Sequence, residues 1–271
     1  MRLSKLHATG NDFLVRVADD PDDHLDRLTV AALCDRHRGV GADGLITIGS
    51  GGPDHDCSML LQNADGGVAE MSGNGIRCLA YVAARDGRSR GDVLRVATGA
   101  GRRDVFLERD DTATIVAAEV DMGAARFGEP LTLDLDGERH VADVVDMGNP
   151  HLVFVVPDPE AIDVARHGPH FEHLATFTQR TNVEFGVARD RTTAAMRVWE
   201  RGVGETMSCG TGVCATAAVL HRRGFVDADL SMHVRGGVLR VHIGDTIRLA
   251  GPVVHVFDVD LDRERLLANL S

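Results

Sequence analysis

The chain has 271 residues, 44% of them hydrophobic, enough to bury one or two proper cores. Its net charge of -12 and pI near 5.5 argue against a nucleic-acid or membrane-surface partner, since neither polyanion is drawn to an acidic surface. The segment Met1 to Phe13 has no apolar signal-peptide core, and no run approaches the roughly 18 apolar residues of a spanning helix, so a soluble, cytoplasmic protein is expected.

In chain order, Leu3 to His7 and Phe13 to Ala18 read as short strands around the turn Ala8-Thr9-Gly10-Asn11-Asp12. Thr29 to His37 has helical spacing, and a glycine-rich connector over 38–44 leads into Leu45 to Ile48. The turn Asn63-Ala64-Asp65-Gly66-Gly67 precedes a helix at about Asn74 to Arg85, and short strands follow at Leu94 to Ala97, Asp104 to Glu108 and Ala113 to Val120. A hairpin turn is expected at Asp136-Gly137. Then come a strand at His151 to Val156, helical turns from about Glu160 to Leu174, and strands at Asn182 to Ala188 and Ala195 to Glu200. A second helix follows Cys209 and stops at Gly224; turn signals at Arg235-Gly236-Gly237 and Gly244-Asp245 separate strand-rich runs that end in Val253 to Leu261. One helix wrapped by many short strands, twice over, is an α+β pattern.

The repetition is in the residues themselves. Sliding the sequence by 137 places Ser72 to Gly87 onto Cys209 to Gly224, matching Gly73 with Gly210, Gly75 with Gly212, Arg85 with Arg222 and Gly87 with Gly224. At a shift of 138, Gly10, Asn11, Leu14 and Val15 meet Gly148, Asn149, Leu152 and Val153. Two blocks in one order at nearly one offset mark a tandem duplication and hence two similar domains. The expected halves are residues 1–114, with a C-terminal strand at about 257–271 packing back on them, and residues 115–256.

Cys209 and its counterpart Ser72 both stand where a glycine-rich loop turns into a helix. At such an end the backbone N–H groups are unpaired and the dipole is positive, which lowers a thiol's pKa and lets the N–H groups of Gly210, Thr211 and Gly212 cradle a carboxylate. Taken alone, the stretch equally allows Cys209 to be a buried small hydrophobe. The five cysteines (Cys34, Cys57, Cys78, Cys209, Cys214) show no C-x-x-C pair, which disfavours disulfides and zinc. His167, His170 and His173 resemble metal ligands, but Gly168-Pro169 is expected to interrupt any common helical face, so no metal is expected. The only lysine, Lys5, falls in the first strand, which disfavours pyridoxal phosphate, and neither a dinucleotide fingerprint nor a Walker A motif is present. No cofactor is expected. Two homologous half-sites suit a cleft in which one group removes an α-proton and the opposite group returns a proton to the other face.

The segments HATGNDF (His7 to Phe13), NADGGVAEMSGNGIRC (Asn63 to Cys78), MGNPH (Met147 to His151), RTNVEF (Arg180 to Phe185) and ERGVGETMSCGTG (Glu200 to Gly212) resemble the signature segments of the diaminopimelate epimerases, over essentially the whole chain. The resemblance implies two pseudo-symmetric domains, each a strand-rich, barrel-like layer around a central helix. It implies a homodimeric, cofactor-independent isomerase that converts LL- to meso-diaminopimelate for lysine and peptidoglycan-precursor biosynthesis by two-base proton transfer. It places Cys209 and Ser72 at the catalytic positions, and Asn11, Asn63, Gly73, Asn74, Asn149, Asn182, Glu200, Arg201, Gly210 and Thr211 at substrate-binding ones. His151 and Glu200 fall where the catalytic groups are tuned.

The chain departs from that family pattern at Ser72, where the first catalytic cysteine is expected, and less sharply at Gly67, Thr178 and Ser208. Cys78, a turn and a half into the helix, is not a simple replacement. Three readings stay open: an epimerase using Ser72 or a relayed water, a deliberate cysteine-to-serine variant, and a paralogue that is catalytically silent or acts as another racemase of the superfamily.

Overall fold

The computed structural model describes residues 1–20, 25–69, 71–89, 91–262 and Ala268. The chain divides into two compact units, Met1–Val120 with Gly251–Ser271, and Asp121–Ala250. The first break lies after Val120 rather than at 114, because the strand that opens near 115 pairs antiparallel with the one before it, from Val105↔Val120 to Arg109↔Ile115. The return begins at Gly251 rather than 257; residues 263–267 and 269–271 of the expected final strand lie outside the described residues.

Unit 1 contains β1 (Arg2–Ala8), β2 (Asn11–Val17), α1 (Arg27–Cys34), β3 (Gly44–Gly49), β4 (Cys57–Asn63), β5 (Val68–Ala69), α2 (Gly73–Arg85), β6 (Val93–Thr98), β7 (Gly101–Arg109) and β8 (Ile115–Asp121). The β1–β2 hairpin turns on Thr9 and Gly10, both left-handed (φ 49° and 83°), as a two-residue turn requires. Asp26 caps α1 by accepting from the Thr29 N–H at 2.9 Å. This helix ends at Cys34 instead of His37 because the chain folds back on it: the Val40 and Gly41 N–H groups take the Leu33 carbonyl. A Cβ on Gly39 would lie 2.0 Å from the Ala32 carbonyl oxygen.

Unit 2 contains β9 (Arg126–Phe127), β10 (Leu131–Leu135), β11 (Glu138–Asp146), β12 (Pro150–Val155), a 3-10 turn (Pro159–Ala161), α3 (Val164–Glu172), β13 (Asn182–Ala188), β14 (Thr193–Glu200), β15 (Gly204–Glu205), α4 (Gly210–Arg222), β16 (Asp229–Val234) and β17 (Gly237–Ile243); β18 (Ile247–Pro252) and β19 (Val254–Asp260) complete the chain. Asp136 and Gly137 make the expected turn between β10 and β11. β19 returns to pair antiparallel with β1, from Arg2↔Asp260 to His7↔Val254.

The two units repeat one plan. A parallel pair joined through a helix, β2–α1–β3 or β12–α3–β13, is followed by a second, β4–α2–β6 or β14–α4–β16. Parallel neighbours need such crossovers. Within each unit the central helix, α2 or α4, is buried on nearly every face among the strands; α4 is small and apolar nearly throughout, while α2 buries Asn74 and Arg77 among its small and apolar residues. Outside α4, Leu152, Phe154, Val183 and Phe185 face Val164 and Phe171 of α3, with the Phe154 and Phe171 rings 4.7 Å apart. Each fully buried ring contributes about 1.5–3 kcal/mol.

The expectation that Gly168-Pro169 breaks the helical face around the three histidines is overturned, since α3 runs through Pro169. Packing overrides propensity there: a Cβ on Gly168 would meet the Trp199 ring at 2.3 Å, so the glycine lets the helix lie against β14. The histidines have separate partners, Asp136 for His167, the Phe171 ring for His170 and the Pro169 carbonyl for His173.

Candidate active site

In unit 2, Cys209 is the N-cap of α4, with extended backbone and no capping bond from its own side chain. Its sulfur lies 3.5 Å from the Thr211 hydroxyl. Thr211 in turn meets the Asn149 amide at 3.4 Å, and Asn149 Oδ1 lies 3.1 Å from His151 Nε2. The other ring nitrogen of His151 is 2.7 Å from Glu184 Oε1, and both side chains of that pair are wholly buried. Glu200, at the end of β14, accepts from the Thr206 hydroxyl and interacts with the Cys209 thiol.

The lowered thiol pKa expected from the helix end does not survive this setting. Burial, then the carboxylates of Glu200 and Glu184, push the Cys209 thiol well above its ordinary value, and the Thr211 hydroxyl and Gly212 N–H do not offset them. Cys209 therefore rests as a protonated thiol. Burial likewise raises Glu200 and Glu184 above the usual carboxylate range.

Next to this cluster, Asn182 joins two segments: its Nδ2 donates to the Pro150 carbonyl at 3.1 Å and its Oδ1 accepts the Arg201 N–H at 2.9 Å. The Arg201 guanidinium reaches the Gln179 carbonyl at 3.0 Å. Glu172 of α3 pins the same turn from behind. Its carboxylate accepts from Trp199 Nε1 at 2.7 Å, the Gly202 N–H at 2.9 Å and Arg180 Nη1 at 3.3 Å, bracketing Glu200 and Arg201. Burial alone would raise the Glu172 pKa, but those three donors hold it below the usual value.

In unit 1, Ser72 caps α2 in the conventional way, its Oγ accepting the Gly75 N–H at 3.0 Å. Asn74 Nδ2 donates to Asn11 Oδ1 at 3.2 Å, and Asn74 Oδ1 accepts from the fully buried Arg77 at 2.9 Å. Asn11 is also held by Asp43 at 2.7 Å, and Arg36 bridges Asp43 to Asp12. Lys5, the only lysine, is taken up by Asp12 and the Gly41 carbonyl, which leaves it poorly placed as a Schiff base. Asn63 stands exposed at the end of β4, its turn tied to Asp43 through the Ala64 N–H. Cys78 is fully buried and its thiol is pushed up to about 12 by that burial, so it is no stand-in for a catalytic cysteine.

Each unit thus gathers its own share of the expected residues: Asn11, Ser72, Gly73 and Asn74 in one; Asn149, His151, Asn182, Glu200, Arg201, Cys209, Gly210 and Thr211 in the other. Sequence reasoning assigned no role to Glu184, Glu172, Arg77 or Asp43. Glu184 carried a signal, a lone charge between Val183 and Phe185 in an otherwise apolar strand.

The diaminopimelate epimerase family model matches residues 3–128 and 144–256. The chain belongs to the diaminopimelate epimerase family. It is 36% identical to the diaminopimelate epimerase of Acidovorax ebreus and 38% identical to that of Synechococcus elongatus, in each case across 97% of this chain and 98% of the relative. Family membership makes the chain an isomerase of the epimerase class. Among solved structures, a phenazine biosynthesis protein of the PhzF family from Bacillus anthracis superposes with TM-score 0.75 at 14% identity, over 96% of this chain and 98% of that one. A hydroxyproline epimerase from Agrobacterium vitis superposes with TM-score 0.72 at 15% identity, over 96% and 91%. These establish the shared fold. No helix among the described residues is long and apolar enough to cross a membrane.

Proposed function

We propose that the chain interconverts LL- and meso-diaminopimelate by cofactor-independent proton transfer, with Cys209 serving one face of the α-carbon and Ser72, or a water it holds, serving the other. One group takes the Cα–H proton, the resulting carbanion delocalises into the α-carboxylate, and the opposite group protonates the other face. The observation that carries this reading is the repetition of one device: Ser72 and Cys209 are the N-caps of corresponding central helices, each beside asparagine side chains held in fixed orientations. In this reading Glu200 receives the α-ammonium, Arg201 pairs with the distal carboxylate, and Asn11, Asn63, Asn74, Asn149 and Asn182 orient the substrate, with N–H groups around Gly73, Gly210 and Thr211 meeting carboxylate charge.

Ser72 sets the limit. A hydroxyl ionises about five units above a thiol, about 7 kcal/mol if Ser72 must form the anion. That favours one alternative, a protein that binds diaminopimelate and turns it over poorly. Proton NMR of each stereoisomer in D2O, with Ser72→Cys alongside, separates the two. Inversion of both isomers supports a working epimerase; deuteration of one isomer without inversion means that Cys209 acts alone. Activity confined to Ser72→Cys identifies a silenced epimerase, and no exchange in either protein refutes the assignment. The homodimer that the family resemblance implies is tested by sedimentation equilibrium.

A further inference from the structure

The strand registers align the two half-sites residue by residue. In the parallel pairs Phe13 stands opposite Gly44, and His151 opposite Asn182. Two residues further along β3 and β13 lie Ile46 and Glu184. The helices agree: a Cβ built on Gly75 would lie 3.0 Å from Ile46 Cδ1 and 3.2 Å from Ser72 Cβ. One built on Gly212 would lie 2.7 Å from Glu184 Oε1 and 3.4 Å from Cys209 Cβ. Where unit 1 has Phe13 and Ile46, unit 2 therefore has His151 and Glu184.

We propose that Glu184 is a positioning residue that makes the two half-sites chemically unequal, laying a carboxylate beneath the turn that carries Cys209 where unit 1 lays the methyl end of Ile46 beneath Ser72. The proposal rests on the reading that Ser72 and Cys209 are the two proton-transfer groups. Glu184 is wholly buried, and its Oε2 has no hydrogen-bond partner among the described residues. A carboxylate in that state is costly to keep, and a purely structural strand position would take a hydrophobe, as unit 1 does.

Its bonds run in a chain to the start of α4. Glu184 holds His151, His151 holds the oxygen of Asn149, the Asn149 amide faces Thr211, and Thr211 touches the sulfur. Burial first, then the carboxylates of Glu200 and Glu184, hold the proton on Cys209, and this chain of bonds fixes which way the Asn149 amide points. The charged groups that face this end of α4 are Glu200 from β14, Glu184 from β13 and His151 from β12, whose two ring nitrogens are engaged by Glu184 and Asn149. On β11, Asp143 is taken by Arg223 at the far end of the helix.

The test is Glu184→Gln, which keeps the size and an oxygen for His151 but removes the charge. In substrate-free protein, iodoacetamide alkylation of Cys209 is followed against pH by peptide mass spectrometry, with the buried Cys34, Cys57, Cys78 and Cys214 as internal controls. The wild-type midpoint should lie above the ordinary thiol value of about 8.5, and the variant midpoint should fall by about one unit or more, about tenfold faster alkylation at pH 8. A wild-type midpoint at or below the ordinary value, or a midpoint unmoved in the variant, overturns the proposal. Simultaneous alkylation of all five cysteines would reveal an unfolded variant. Glu184→Met, which also removes the charge at similar volume, is then read in its place, and the wild-type midpoint decides if neither folds. Alkylation needs no substrate, so a titration as expected in a protein that exchanges no diaminopimelate deuterium would refute the functional reading and leave the Glu184 assignment standing.

Discussion

Glu172→Ala is the sharpest probe of how the fold presents Glu200 and Arg201. The carboxylate is almost wholly buried and accepts from the half-buried Trp199 indole and from two exposed partners, Gly202 and Arg180. The exposed pair with Arg180 contributes at most about 1 kcal/mol. The half-buried indole N–H would be left without an acceptor, at about 1–3 kcal/mol, whereas the exposed Gly202 N–H can turn to water, so the variant should lose about 1–4 kcal/mol. Urea unfolding should show this as a lower midpoint with unchanged slope. Because hydrogen bonds hold the folded Glu172 pKa below its unfolded value of about 4.3, its contribution is present above that pH and fades as pH falls through the folded value. The gap between wild type and variant should therefore be full at pH 7 and shrink below about pH 4. A loss under about 1 kcal/mol, or a gap unchanged between pH 7 and pH 3, would refute the account of Glu172 as the staple behind this turn.

The two glycines under the N-caps should respond differently to alanine. At Gly212 the new Cβ meets a carboxylate oxygen already fixed by His151, so Gly212→Ala should lower turnover by about tenfold or more; at Gly75 it meets the end of Ile46, which can shift, and the loss should be smaller. Equal losses in a steady-state assay would contradict that difference. Cys78→Ala removes a thiol with no chemical role here; it should cost about 1 kcal/mol of stability and leave deuterium exchange within about twofold of wild type. Phe154→Ala opens a cavity against Phe171 and Phe185 and should cost about 3–5 kcal/mol by thermal or urea unfolding.

Much of this architecture was legible because duplication writes itself twice. The matched glycines at the starts of α2 and α4 predicted both helices and their burial, and Asp136-Gly137 marked its hairpin. What escaped was decided by tertiary packing. The β4 segment, Cys57 to Asn63, ends at the Asn63 turn but lacks a clean apolar–polar alternation, and is a strand because it lies antiparallel to β3. Pro169 stays inside a helix because Gly168 lets Trp199 approach. The site shows the same division: asparagines in long motifs could be placed one by one, whereas the protonation of Cys209 depends on its burial and then on carboxylates brought under the helix by other strands. A helix-end argument taken alone gave the wrong sign for that thiol, because burial and two nearby carboxylates outweigh the dipole of one turn.

That balance yields a prediction for the other half. In the Ser72→Cys protein the introduced thiol would sit at the same cap, with the Gly75 N–H aimed at it and Ile46 rather than a carboxylate beneath. Asn74 accepts from the buried Arg77 in the first turns of the same helix. The helix end should then be free to act on the sulfur, and this thiol should titrate below Cys209 by about one unit or more. Alkylation of the double-thiol protein across pH, with the two sites resolved by peptide mass spectrometry, measures both midpoints in one sample. Coincident midpoints would mean that the groups beneath the caps do not distinguish the half-sites. A separation of the expected sign would mean that duplication copied the cap, while later substitutions at the positions of Ile46 and Glu184 decided which cap holds its proton.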